Sequence, residues 1–166
     1  LDHVMAISRH PDAEALAPNL VLNAPQIEAL PLFADGEPAP ALTSLQSGLS
    51  GRVETIAPGV VIVPAAGHTP GSQMVFITLQ SGDEILLIGD IVWNMGAIEA
   101  LKTRPVLTQY MVFRPNYEDR SAIKQQVRAL HDMMADNPEL IVLPAHDREW
   151  LMAAAETNGI EFQPVE

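Results

Sequence analysis

The amino-acid sequence predicts an α/β fold in which helices cover a sheet. Two short apolar runs, at 60–63 and 140–143, are typical of buried strands. The segment 119–135 has apolar residues at helical spacing and polar residues on its other faces. Because helix, strand and helix follow one another along the second half, we expect layered α/β packing.

The first third of the chain predicts little regular structure. A short helix is predicted over 4–17, and Leu20–Leu22 is predicted to be a short strand. Residues 31–58 contain four prolines and three glycines, which predicts a long surface loop with one helical turn. Long ordered loops often bind ligands or cover a site.

The pattern is clearer from residue 60 onward. The β-branched run 60–63 predicts a strand buried on both faces. The runs 74–79 and 84–88 flank Gln-Ser-Gly-Asp, which is typical of a hairpin turn. The helix over 119–135 is followed by a strand at 140–143, and a last helix is predicted over 148–157, before Asn-Gly.

Composition limits the class of protein. With 166 residues, nearly half of them apolar, the chain is long enough for one domain, 1–166, and short for two. A net charge of -12 with nine scattered basic residues disfavours a nucleic-acid partner. No run approaches the roughly 20 apolar residues of a membrane span. We expect a soluble protein without membrane contact, with the cytoplasm slightly favoured.

Three candidate metal ligands follow apolar runs. His68 lies in Gly-His-Thr-Pro-Gly, Asp90 follows Leu-Leu-Ile-Gly, and His146 follows Leu-Pro-Ala. A strand delivers the residues after it to the rim of a sheet, so these side chains are expected to converge. Because the chain has no cysteine, a metal would use imidazole and carboxylate ligands, which suit zinc and also manganese or iron.

Together with Asp2-His3, these motifs resemble the metallo-β-lactamase superfamily of metal-dependent hydrolases. The resemblance implies an αββα sandwich with one or two zinc ions. It implies the metal ligands Asp2, His3, His68, Asp90 and His146. It also implies that Asp90 bridges two metals, and we expect both aspartates to serve catalysis.

The resemblance also implies that part of the fold precedes this chain. In the family, a His-x-His-x-Asp-His segment supplies four ligands, and Asp2-His3 matches only its last two positions. We therefore expect a single domain that lacks its N-terminal half, which associates with that half or forms a homo-oligomer.

The function that the resemblance implies is hydrolysis of a small ester, lactone or thioester by a metal-activated water, as in lactonase-like and glyoxalase-like members. Trp93 is predicted to contact the small-molecule substrate, because it lies close to Asp90 and aromatic groups commonly line pockets. Substrate choice is expected to depend on the proline-rich loop and on residues 93–117.

Two other hypotheses stay open. Ser72 is a candidate nucleophile with His68 or His146 as its base, although it lacks the Gly-x-Ser-x-Gly turn that exposes such a hydroxyl. Alternatively, the chain is a catalytically silent binding or assembly module that pairs through a sheet face with another chain.

Overall fold

The computed structural model describes residues 11–16, 20–33, 47–107 and 118–159. These ranges confirm the mixed α/β class. No helix among them has the length and apolar character needed to span a membrane. The helices are α1 (Ala13–Leu16), α2 (Ala24–Phe33), α3 (Met95–Glu99), α4 (Arg120–Asp136) and α5 (Arg148–Asn158). The strands are β1 (Glu54–Ala57), β2 (Val60–Pro64), β3 (Gln73–Thr78), β4 (Glu84–Gly89) and β5 (Ile141–Pro144).

The five strands form one sheet in the order β1-β2-β3-β4-β5. The first three pairings are antiparallel, which includes the predicted β3–β4 hairpin, and β5 pairs parallel to β4. Since β2 and β4 are both antiparallel to β3, they run in the same direction as β5. The carboxyl ends of β2, β4 and β5 therefore lie at one edge of the sheet, which we call the site edge.

The hydrophobic core lies between the sheet and α4. Leu86 and Ile88 of β4 pack in one cluster with Ile123, Val127 and Leu130 of α4, and all five are at most 4% exposed. The helical spacing of the α4 residues puts them on one face, as the sequence predicts. Burying such a side chain contributes roughly 1.5–3 kcal/mol.

Several elements differ from the sequence prediction. The strand β1 and most of α2's last turn fall in the predicted loop 31–58, and Leu20–Leu22 forms no strand. Of the predicted helix 4–17, the described part forms α1 over Ala13–Leu16. The short helix α3 was not predicted. Strand β1 is mostly exposed, so it lacks the apolar run that marks a buried strand.

Strand β2 is also less buried than predicted. Only Ile62 is buried, and its valine neighbours are half-buried. The physical reason is its place in the sheet, since its outer neighbour is the short, exposed β1.

Helix α2 begins with a reciprocal capping arrangement. The Asn23 side chain accepts a hydrogen bond from the Gln26 backbone N–H at 3.0 Å, and the Gln26 side chain accepts one from the Asn23 N–H at 2.9 Å. Asn followed three residues later by Gln is a known signature of a helix start. The sequence therefore contains a signal for the start of α2, a helix that was not predicted.

The same capping residues hold the loop between β2 and β3. The Asn23 amide donates to the Gly71 carbonyl at 2.9 Å, and the Gln73 amide donates to Gln26 at 2.8 Å. Gly71 has φ +77°, and a Cβ placed on it would lie 2.3 Å from Asn23 Oδ1. The loop and the start of α2 therefore fit together only because residue 71 has no side chain.

We expect Gly71→Ala to destabilise the protein more than Gly82→Ala. Both glycines have positive φ, but a Cβ on Gly82 would meet nothing within 4 Å. Each substitution incurs a left-handed backbone penalty of roughly 1–2 kcal/mol, and Gly71→Ala adds overpacking of about 1–3 kcal/mol. Urea denaturation measures both free energies of unfolding, and equal losses would contradict this packing argument.

Candidate metal centre

The predicted ligands His68, Asp90 and His146 all lie at the site edge. His68 is in the loop after β2, Asp90 directly follows β4, and His146 follows β5. The Ala145 N–H donates to the Gly89 carbonyl at 3.0 Å, which connects the turn after β5 to the turn after β4. Gly89 has φ +55°, a left-handed conformation that favours glycine at this turn.

Two further hydrogen bonds fix the turn that carries His146. The side chain of Asp147 accepts from the Met95 backbone N–H at 2.9 Å and from the Trp150 N–H at 3.1 Å. It therefore caps α5 and anchors the turn to the start of α3. These bonds fix the backbone next to His146.

The Asp90 carboxylate lies between two imidazoles. Its Oδ2 is 3.4 Å from His68 Nε2, and its Oδ1 is 3.1 Å from His146 Nε2. The side chains of Asp90 and His68 are each 5% exposed, whereas that of His146 is 53% exposed. The cluster is therefore buried on the His68 side and open on the His146 side.

The donors come in two pairs that share Asp90. Within the described ranges, no group of three or more His, Asp or Glu side chains has the arrangement of a metal site. Two ligand atoms on one tetrahedral zinc ion, each about 2.0–2.1 Å from it, are about 3.4 Å apart. The separations of 3.1 and 3.4 Å fit that spacing for each pair.

These pairs fit the donor chemistry of zinc, and each would need further ligands. The predicted ligands Asp2 and His3 lie outside the described residues. The assignment of all five residues as metal ligands stays a prediction.

Trp93 lies beside the cluster. Its ring meets that of His146 edge-on, with 6.3 Å between the ring centroids. The Arg104 guanidinium carbon is 5.3 Å from the Trp93 ring centroid, which is within the range of a cation–π interaction. Trp93 therefore lies between a buried cation and the open side of the candidate site.

Arg104 and Glu118 are site residues that sequence reasoning missed. Glu118 Oε1 is 3.2 Å from His68 Nδ1 and forms an ion pair with Arg104. Arg104 also donates to the Asp90 carbonyl at 2.6 Å. No local pattern marks either residue, because only burial distinguishes these charged side chains from surface ones.

The carboxyl group of Glu118 is ionised more readily than an ordinary glutamate. Its side chain is 3% exposed, and this burial raises its pKa. Hydrogen bonds and charge interactions with His68 and Arg104 outweigh burial, so the pKa lies below its usual value. Glu118 is therefore an anion behind His68 at neutral pH.

The geometry disfavours Ser72 as a nucleophile. Its hydroxyl is 2.7 Å from Thr69 Oγ1 and accepts from the Thr69 N–H at 3.1 Å. Among the described residues it makes no hydrogen bond to His68 or His146. Ser72 therefore lacks the base that this hypothesis requires.

Solved structures similar to this chain include three structures of lactone hydrolases. One is an N-acyl homoserine lactone hydrolase with the product N-hexanoyl-L-homoserine bound at its catalytic metal centre. It is 18% identical with a TM-score of 0.57, over 80% of this chain and 48% of that chain. A variant of AiiA from B. thuringiensis, with N-decanoyl-L-homoserine at its active site, has the same identity, coverage and TM-score.

The third is a quorum-quenching N-acyl homoserine lactone hydrolase. It is 18% identical with a TM-score of 0.56, over 78% of this chain and 48% of that chain. No protein-family model and no curated protein matches the chain. The chain spans about half the length of the solved structures that it matches. The likeness to these lactonases confirms the predicted fold: the chain has the metallo-β-lactamase fold over that shared part.

Proposed function

We propose that the chain is part of a metal-dependent hydrolase that opens a lactone. The observation that carries this proposal is the Asp90 carboxylate, which presents one oxygen to Nε2 of His68 and the other to Nε2 of His146. The lactonase neighbours support a lactone over the ester and thioester that the sequence also allows. Because two of these neighbours bind an N-acyl-L-homoserine at the active site, we propose N-acyl homoserine lactones as the substrate class.

The residues proposed to hold the metal are His68, Asp90 and His146, completed by Asp2 and His3. Zinc, or manganese or iron in its place, would supply there a Lewis acid and a water of lowered pKa. The chain positions these donors at the site edge, where three strand ends meet. Burial of Asp90 and His68 strengthens their electrostatic interactions, because little water screens them.

The proton transfers are assigned to Asp90, the proposed general base. Water adds to the lactone carbonyl, and its proton passes to a carboxylate oxygen of Asp90. The ring C–O bond then breaks, and the proton returns to the departing oxygen, which becomes the hydroxyl of the product. A catalytic role for Asp2 is proposed on the family resemblance alone.

Trp93 is proposed to contact the substrate. It is half-buried, lies next to the exposed His146, and has Arg104 near its ring. An apolar ring at the open side of the cluster suits an acyl chain. The segments predicted to determine substrate choice lie partly outside the described residues, at 34–46 and 108–117.

We expect Asp90→Asn to weaken zinc binding at least about 100-fold. The asparagine keeps the shape of the side chain but loses the negative charge and one oxygen. Even residues that only orient a ligand are worth about 10–100-fold in affinity. Zinc competition with a chromophoric chelator measures the effect, with the exposed Asp136→Asn at the end of α4 as the control. Equal affinity of all three proteins would contradict the proposal.

We expect the zinc-loaded chain to hydrolyse N-hexanoyl-L-homoserine lactone. A pH indicator follows the acid that ring opening releases. Chelation should abolish the rate, added zinc should restore it, and Asp90→Asn should remain inactive with zinc. A rate that survives exhaustive chelation would refute the metal-dependent mechanism.

We expect Trp93→Phe to raise KM about 3- to 10-fold while kcat changes little. This range corresponds to a lost aromatic contact of roughly 0.5–1.5 kcal/mol. Trp150→Phe is the matched control, because Trp150 is the only other tryptophan and its ring donates to Val142 instead. In fluorescence titrations, N-hexanoyl-L-homoserine should quench the tryptophan fluorescence of Trp150→Phe, which retains Trp93. It should not quench that of Trp93→Phe.

A catalytically silent module is the second candidate function. It is favoured by the arrangement of donors in pairs, since the described ranges contain no metal-binding group of three. On this hypothesis the chain associates with a second copy or with a separate N-terminal half. Less than about half an equivalent of zinc retained on dialysis, in wild type as in Asp90→Asn, would support it.

A further inference from the structure

A buried ion pair lies behind His68. The side chains of Arg104 and Glu118 are 5% and 3% exposed, and Arg104 donates to Glu118 Oε1. The same carboxylate oxygen is 3.2 Å from His68 Nδ1. On the opposite side of the ring, Nε2 faces Asp90. The imidazole therefore lies between two carboxylates, and Glu118 is paired with the Arg104 guanidinium.

Two neutral tautomers of His68 compete in this setting. Its Nδ1 has Glu118 Oε1 at 3.2 Å and Arg104 Nη2 at 3.3 Å. A proton on Nδ1 donates to Glu118, which then accepts from both neighbours. A bare Nδ1 would instead accept from Arg104 and place its proton on Nε2, where it would occupy the lone pair that a metal needs.

The first tautomer satisfies the buried charges better. A proton on Nε2 would donate to Asp90 Oδ2 over the longer distance of 3.4 Å, and Asp90 can accept instead from His146 Nε2 at 3.1 Å. Glu118 is a desolvated anion, so each donor directed at it offsets part of the burial penalty. In the second tautomer Glu118 loses the hydrogen bond from His68 Nδ1, and the bare Nδ1 lone pair lies 3.2 Å from its carboxylate oxygen. The Arg104–Glu118 ion pair therefore favours a proton on His68 Nδ1.

We propose that Glu118, held by Arg104, is a positioning residue that keeps the proton of His68 on Nδ1 and leaves Nε2 open to a metal ion. This inference rests on the proposed function for the identity of the ligand. A carboxylate behind a metal-binding histidine fixes its tautomer and ring orientation in many proteins.

Arg104 also sets where Asp90 lies relative to His68. Its Nη1 donates to the Asp90 carbonyl at 2.6 Å while its Nη2 binds Glu118. The Arg104 carbonyl in turn accepts from Arg120 Nη1 at 2.9 Å. One guanidinium therefore connects the backbone of one proposed ligand with the carboxylate behind the other.

The tautomer is read directly by NMR of metal-free protein labelled with ¹⁵N-histidine, at a pH well above the ordinary histidine pKa of about 6.5. The His68 signals are assigned by their loss in His68→Gln. Wild type should show a protonated Nδ1 and a bare Nε2, and Glu118→Gln should move protons to Nε2. The control Glu84→Gln, an exposed residue at the far end of β4, should match wild type.

Zinc affinity gives an independent readout. Glu118→Gln should bind zinc about 10- to 100-fold more weakly than wild type, whereas Glu84→Gln should bind it equally well. Because Glu118→Gln leaves Arg104 buried without its carboxylate, it risks unfolding. The double variant Arg104→Gln with Glu118→Gln removes both charges and should show the same shift, with folding checked by near-ultraviolet circular dichroism.

A folded variant that keeps the wild-type tautomer and the wild-type zinc affinity would overturn the inference. The tautomer is measured without metal or substrate, so it separates this inference from the proposed function. A wild-type Nδ1 proton that depends on Glu118 supports the inference even when the chain opens no lactone. If the protein hydrolyses the lactone but its His68 tautomer is the same in wild type and in Glu118→Gln, this inference is wrong while the proposed function stands.

Discussion

The contact of one buried carboxylate with two imidazoles is the interaction on which the site depends. Asp90 reaches His68 and His146 because β2, β4 and β5 end at the same edge of the sheet. A buried anion is costly unless it is paired, so this contact also constrains the turns around it. The links from Ala145 to Gly89 and from Met95 to Asp147 hold the two turns in register.

Two different sets of contacts hold His68. The first is neutral: the capping residues of α2 bind the loop through Gly71 and Gln73. The second is charged: Glu118 contacts Nδ1, and Arg104 joins Glu118 to the Asp90 carbonyl. The neutral hydrogen bonds determine where the loop lies, whereas the charged contacts act on the imidazole ring itself. A metal ligand requires both, since distance and tautomer each decide whether a lone pair is available.

The burial of the cluster is asymmetric. His68 and Asp90 are enclosed, while His146 is about half exposed and has Trp93 at its side. This arrangement suits a small substrate that approaches from the His146 side and meets an apolar ring. The likeness to lactonases covers about half of those chains, so the proposed chemistry includes donors beyond the described residues.

The sequence by itself determined the strands predicted at 60–63, 74–79, 84–88 and 140–143, the helices predicted at 119–135 and 148–157, and the order of the candidate ligands. These features follow from local periodicity and from turn residues, which act over a few positions. Only the tertiary structure decided three features: the pairing of Glu118 with His68 and Arg104, the close contact of the start of α2 with Gly71, and the exposed strand β1. Glu118 and His68 are 50 residues apart, and what makes them partners is shared burial, which arises only when distant segments pack together.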